Sequence, residues 1–348
     1  MVKVGICGMG FMGRTHFGIY SRHPKAQVVA MMDKLPNRRK GEWADPIGNL
    51  PASWPEKVDM SGIASHAAPD ELIADPNVEL VDITLPTDLH AEVAIKALQA
   101  GKHAFSEKPM ARTAKDAKRV QAVAAKAKGC YMVGQCIRFW PQYVKIKELV
   151  GSKKYGPIRS VALRRLAPPP LYSDDNWLMK HKRSGGAALD LHLHDIDFAA
   201  YLLGKPKSIF AQGTKGPSGG WDHVEALWNY GAGKQVTVEG GWSFAASYPF
   251  QMIITVRCTK ATLEWVFRAG EGGEGFGNDV VVYSDTGQIE KIAVKASTGW
   301  DEEIDYLVTC IDSKRKPTVA TATSSAQSVA LCEAEIKSIE TQRPVAIR

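Results

Sequence analysis

Six residues near the N-terminus, Gly8-Met9-Gly10-Phe11-Met12-Gly13, spell G-x-G-x-x-G directly after an apolar run at 2–7. In a strand-to-helix turn the first glycine permits the tight bend, and the second lets the backbone approach a pyrophosphate. The third lets helix and strand pack closely, while the helix N-terminus attracts phosphate charge. Twenty residues beyond Gly13, Asp33 ends a second apolar run, where a carboxylate accepts hydrogen bonds from the hydroxyls of an adenosine ribose. Glycine turns arise for many reasons, so the loop alone is weak evidence. Strand, helix and acid together point to a dinucleotide site. Asp33 would repel a 2′-phosphate, which favours NAD. Lys34, Arg38 and Arg39 follow closely and offset part of that repulsion, which leaves NADP open. The candidate cofactor contacts in this half-site are Gly8, Gly10, Phe11, Met12, Gly13, Asp33, Lys34 and Arg38.

Such a site needs alternating strands and helices to hold it. Strand-like runs fall at 2–7, 27–32, 80–85, 103–105 and 131–134, with helical spacing between them, as at 91–99 before Gly101. Thr113-Ala114-Lys115-Asp116 resembles a capping box and opens an alanine-rich helix running to about residue 128. The alternation implies right-handed βαβ units and a parallel sheet covered on both faces. The segment 35–60, with four prolines and two tryptophans, fits this pattern poorly and reads as an insertion. From about residue 204, runs at 208–212, 224–230, 235–242, 251–258, 262–266 and 280–283 are separated by glycine-rich turns. One of these turns, Gly231-Ala232-Gly233, has hairpin length. Helices near 301–313 and 324–341 close the chain. The expected fold class is α/β, an N-terminal Rossmann doubly wound parallel sheet at 1–135. An α+β domain at 136–348 follows, with a large, mostly antiparallel open sheet for substrate binding and oligomerisation.

Composition narrows the function classes. The 348 residues are 45% hydrophobic and 23% charged, which suits two globular domains and excludes a disordered or fibrous chain. No run approaches the roughly 18 apolar residues of a membrane span. The N-terminus reads as a buried strand instead of a signal peptide, so a cytoplasmic protein is expected, with no membrane partner. The net charge of +7 is scattered and no nucleic-acid module is visible, so no nucleic-acid partner is expected. The six cysteines form no C-x-x-C pair and read as reduced core residues.

Two further motifs narrow the reading to a family. Glu107-Lys108-Pro109 follows the strand after Gly101-Lys102-His103-Ala104-Phe105. The second is Gly185-Gly186-Ala187-Ala188-Leu189-Asp190-Leu191-His192-Leu193-His194-Asp195-Ile196-Asp197. With the opening loop and Thr84-Leu85-Pro86-Thr87-Asp88-Leu89-His90, they resemble the Gfo/Idh/MocA oxidoreductases, the glucose–fructose oxidoreductase and inositol dehydrogenase family. The resemblance covers essentially the whole chain in motif order. It is specific for family and poorly specific for substrate, since the family acts on many sugars, cyclitols and related alcohols.

The resemblance implies that Lys108 is the active-site lysine, that Pro109 follows it in a turn with an often cis bond, and that Asp190 and His194 form the D-x-x-x-H pair. It places Thr84, Pro86 and His90 along the cofactor cleft, Glu107 beside the nicotinamide, and Arg138 in the segment entering the second domain. The residue chemistry agrees. Residues four apart on a helix share a face, so Asp190 and His194 can reach one cleft. Oxidising a secondary alcohol requires loss of the hydroxyl proton as hydride leaves, and histidine is the usual base near neutral pH. An ammonium beside the hydroxyl stabilises developing alkoxide. Lys108 and His194 are coupled, and the sequence leaves open which carries the proton. Arg138 could hold a substrate oxygen or a structural carboxylate, and Tyr172 and Trp177 could stack on a sugar face or simply pack. His192 falls where relatives often carry glycine. No metal is expected, since His192, His194, Asp195 and Asp197 spread around a helix and hydride transfer needs none. Relatives pair through the open sheet, which implies a homodimer or homotetramer. The reading is an NAD(P)-dependent oxidoreductase of a sugar or polyol. Two alternatives are a regulatory sensor of NAD(P) without turnover and an NAD-dependent glycosidase with internal redox cycling.

Overall fold

The computed structural model describes residues 1–44, 54–231, 233–270 and 279–348. Residues 45–53 of the expected insertion, and Ala232 of the expected hairpin turn, lie outside the described residues. Among the described residues the first sheet has six parallel strands: β1 (Val2–Cys7), β2 (Ala26–Met32), β3 (Ala64–His66), β4 (Leu80–Ile83), β5 (His103–Glu107) and β6 (Tyr131–Gly134). Their order, β3-β2-β1-β4-β5-β6, is doubly wound. Nearly every residue of β1 and β4 is buried, as expected for strands covered on both faces. Helices α1 (Phe11–Arg22), α2 (Pro36–Arg39), α3 (Pro69–Ala74), α4 (Thr87–Gln99) and α5 (Ala114–Lys126) connect them. Ligand sites in such sheets lie beyond the strand carboxyl ends where the order reverses, here between β1 and β4.

The described part of 35–60 is well anchored. Trp43 is buried, its indole N–H donates to the Arg38 carbonyl at 3.1 Å, and its ring meets Phe17 edge-on. Glu42 bridges Lys57 in antiparallel fashion.

The second half begins with α6 (Pro141–Gly151) and β7 (Ile158–Leu166). Short helices α7 (His181–Ser184), α8 (Gly186–Asp190) and α9 (Leu193–Leu203) follow. The strands are then β8 (Ser208–Lys215), β9 (Trp221–Asn229), β10 (Gln235–Gly241), β11 (Gln251–Cys258), β12 (Ala261–Arg268), β13 (Asp279–Ser284), β14 (Ile289–Ala293) and β15 (Val345–Ala346). Among the described residues they form a nine-stranded sheet ordered β14-β13-β12-β11-β7-β10-β9-β8-β15. All pairs are antiparallel except β7 with β10. Alternating burial along β9 shows one face packed and one open.

The central strand of this sheet, β7, lies well before residue 204, where the change of texture was expected. Arg159, Arg164 and Arg165 obscure its alternation, because Arg165 points inward with Val161 and Leu163. Asp195 neutralises it there, accepting from Arg165 Nε at 2.9 Å. The closing helices are α10 (Gly299–Asp312) and α11 (Ala322–Thr341). Ile304, Leu307 and Val308 of α10 return to the first sheet and share a core with Val2, Val4 and Ile6. All six cysteines are free and buried. No described helix is long and apolar enough to cross a membrane.

Candidate active site

The glycine loop shows why three glycines are spaced as they are. Gly8 has φ +108°, and a Cβ there would sit 2.9 Å from the Thr84 carbonyl oxygen. A Cβ on Gly13 would lie 1.9 Å from the Gly8 oxygen, so this residue serves helix–strand contact and does not itself line the cavity. Gly10 differs from both: among the described residues, nothing beyond its own chain neighbours and helix backbone comes within 4 Å of where its Cβ would stand. It is also the N-cap of α1 and makes no side-chain cap bond, so the first-turn amides remain available. An open glycine at an uncapped helix N-terminus is the cradle a pyrophosphate needs, and the residues present fit a dinucleotide.

That loop opens onto a cavity of about 410 Å³, which Gly8, Gly10, Phe11 and Met12 line. Asp33, Lys34, Arg38, Thr84, Pro86 and His90 line it further along. Glu107, Lys108, Tyr172, Trp177, Asp190 and His194 line it as well, which leaves Gly13 and Arg138 as the expected residues outside it. Asp33 accepts from the backbone N–H groups of Met9 and Leu35, both at 2.8 Å, which fixes its carboxylate against the loop. Thr84 donates its hydroxyl to the Gly8 carbonyl at 2.6 Å. His90 places one ring nitrogen 2.7 Å from the Pro109 oxygen and the other 2.7 Å from the Leu85 oxygen, tying two cavity loops together. The Lys108–Pro109 peptide is cis.

Lys108 Nζ donates to the Asp190 carbonyl at 2.7 Å and to its carboxylate at 3.1 Å. Asp190 is therefore bound to the lysine, not to His194 as a helical i,i+4 pair would suggest. The helix itself is interrupted: α8 ends at Asp190, α9 begins at Leu193, and the two residues nevertheless reach one cavity. Gly185, at φ +93°, makes the preceding turn, where a Cβ would strike Leu189 at 2.5 Å. Burial, reinforced by the charges of Lys108 and Arg165, holds the His194 pKa well below 6.5. Its Nδ1 is buried with no hydrogen-bond partner among the described residues.

One further expected contact is placed elsewhere. Arg138 is buried outside the cavity wall, with Nε and one terminal nitrogen each 2.7 Å from Asp197. Its other terminal nitrogen donates to Ser324 at 3.0 Å, and its plane lies over Tyr201, so it holds a structural carboxylate. His192 bonds Glu335 of α11 at 2.7 Å, while Glu335 also accepts from the Trp228 indole at 2.7 Å. Gly240 is bare opposite this histidine, since a Cβ would fall 2.4 Å from its Nδ1.

Sequence reasoning missed several cavity residues. Arg165, Asp174, Arg183, Met252 and Trp300 line it from β7, the 167–180 loop, α7, β11 and α10. Nothing local marks them, because each reaches the cavity through tertiary packing. A buried network below Glu107 was also missed. His16 Nδ1 lies 2.8 Å from Asp82, and its Nε2 lies 3.4 Å from Glu107. Burial pulls the His16 pKa down, but Asp82 and Glu107 outweigh it and raise the value from 6.5 to about 10. Such a histidine stabilises the fold fully below 6.5 and loses that contribution as pH rises toward about 10. Wild-type Tm should therefore fall over this window more steeply than that of His16→Asn. Equal slopes would show that His16 carries no charge in the native state.

The family model described as "Oxidoreductase family, NAD-binding Rossmann fold" matches residues 2–135, and "GFO/IDH/MocA C-terminal domain" matches residues 143–264. The chain belongs to the Gfo/Idh/MocA family. Among Gfo/Idh/MocA relatives, inositol 2-dehydrogenase of Rhizobium meliloti is 26% identical, over 99% of this chain and 99% of that protein. Levoglucosan dehydrogenase of Pseudarthrobacter phenanthrenivorans is 31% identical over 69% of this chain and 60% of that protein. A solved levoglucosan dehydrogenase, in complex with NADH and levoglucosan, superposes with TM-score 0.82 at 20% identity, covering 99% of both chains. At that identity the superposition establishes the shared Gfo/Idh/MocA fold.

Proposed function

We propose that the protein is an NAD-dependent dehydrogenase moving hydride between the nicotinamide and a secondary alcohol or ketone of a sugar, sugar derivative or cyclitol. The observation that carries this reading is that Lys108, Asp190 and His194 line the same cavity as the open glycine cradle and Asp33. The names of the inositol and levoglucosan dehydrogenases support the substrate class. NAD, when bound, supplies the hydride acceptor. Gly10 and the α1 N-terminus hold its pyrophosphate, Asp33 its adenosine ribose, and Thr84, Pro86 and Glu107 border the remainder.

The chain's own groups manage the proton. Lys108 directs two of its three protons at Asp190, leaving one for the substrate hydroxyl, where the ammonium stabilises alkoxide character. His194 is kept neutral and so can accept the hydroxyl proton, at Nε2, because Nδ1 is enclosed. Asp190 fixes the Lys108 ammonium. Tyr172 and Trp177 offer aromatic faces to the sugar ring.

The same reading divides the chain near residue 135, with α10 returning to cover the first sheet. It pairs protomers through the open sheet face, where Leu227 and Val266 stand exposed, and places the protein in the cytoplasm. The test is NADH formation with a panel of inositols, aldoses, anhydrosugars and glycosides, alongside calorimetric titration of NAD. Turnover with one class supports a dehydrogenase. NAD binding with silence across the panel overturns it in favour of a sensor or an internally cycling glycosidase.

A further inference from the structure

Arg38 follows Asp33 closely enough to greet a 2′-phosphate, yet the tertiary structure gives it another partner. The guanidinium makes a two-pronged pair with Asp174, 136 residues away, with one terminal nitrogen 2.7 Å from Oδ1 and the other bonded to Oδ2. The arginine is 2% exposed and its partner 33% exposed. Asp33 stands on the same guanidinium, its Oδ2 3.8 Å away. Arg39 is turned aside, donating to the Asp33 and Lys34 carbonyl oxygens at 2.7 and 3.1 Å. Both Arg38 and Asp174 line the cofactor cavity.

We propose that Asp174, delivered by the second half of the chain, determines coenzyme choice by occupying Arg38 and denying it to the 2′-phosphate of NADP. The inference rests on the dinucleotide reading above and deepens it. Two carboxylates face the one guanidinium that could fork a phosphate here, so its charge is already matched, while Lys34, which also lines the cavity, offers only a point charge that is the same in every variant. To bind that phosphate, Arg38 would have to abandon a fork-to-fork pair and leave Asp174 unpaired beside an anion. A ribose hydroxyl, being neutral, asks for none of this and needs only the Asp33 acceptor. The basic run after Asp33 therefore looks permissive in the sequence and becomes restrictive once the 167–180 loop closes on it.

A second cross-chain pair provides the control. Arg183 binds Asp88 at 2.9 and 3.2 Å, also joining the two halves beside the cavity, but through a carboxylate that bonds neither Asp33 nor Arg38. The experiment measures NAD and NADP affinity by calorimetry, and kcat/KM for each, in wild type, Asp174→Ala, Asp174→Ala with Arg38→Ala, and Asp88→Ala. Asp174→Ala should lower the NAD-to-NADP preference about tenfold or more, the size of one charge-assisted contact, with the change carried by NADP. Adding Arg38→Ala should abolish that gain, and Asp88→Ala should leave the preference where it was. If Asp174→Ala weakens or strengthens both coenzymes alike, or if Asp88→Ala shifts the preference equally, the pair is only a latch and the inference fails. Wild-type protein that binds neither coenzyme would instead overturn the dinucleotide reading, and this inference with it.

Discussion

Replacing Lys108 with alanine is expected to lower kcat by roughly 10³-fold, the scale of losing a charge that stabilises a developing oxyanion. The residue sits at the end of β5, its ammonium fixed by two contacts to Asp190. On the proposed reading its loss removes the positive charge beside the substrate hydroxyl while the glycine loop and Asp33 stay intact. NAD affinity should therefore change little. The measurement is single-turnover NADH formation beside a calorimetric NAD titration. Near-normal turnover would remove Lys108 from the chemistry. Lost NAD binding would make it a cofactor anchor.

Replacing His194 with asparagine should reduce the rate of alcohol oxidation by about 10²–10⁴-fold, the usual reach of general-base catalysis. The pH profile adds a sharper test. Burial first, then repulsion from Lys108 and Arg165, keeps the imidazole pKa well below 6.5, so the neutral base persists as pH falls through that value. Wild-type kcat/KM for oxidation should show no histidine limb near 6.5, since that parameter reports the free enzyme. A limb at 6.5 that disappears in His194→Asn would mean the free enzyme holds the imidazole as an ordinary exposed histidine. The cation pair around His194 would then be misread.

The two halves of the site differ in how much of them the sequence exposes. The glycine loop and Asp33 are contiguous with the elements that hold them, so spacing along the chain is nearly spacing in space. The Asp190–His194 pair follows the same logic less well. A continuous helix would set them on one face, but the chain breaks at Leu191–His192, and Asp190 turns to Lys108. Arg138 shows a further limit. An arginine entering the second half could have met substrate or carboxylate, and Asp197 is what packing brings to it. Strand β7 was hidden because pattern reading counts arginine as polar, whereas Asp195 lets Arg165 be buried.

What the sequence determines by itself is the local chemistry: a dinucleotide turn, its acidic partner, the alternation that builds a doubly wound sheet, and the motifs that mark the family. These survive without coordinates because backbone conformation and hydrophobic period act over a few residues. Tertiary structure alone decides which charges meet. Asp174 reaches Arg38, Glu335 reaches His192 and Arg165 reaches Asp195 across long separations. The physical reason is that a buried charge must find a partner wherever the fold brings one close. Nothing in the local sequence around Arg38 or His192 records which residue that will be.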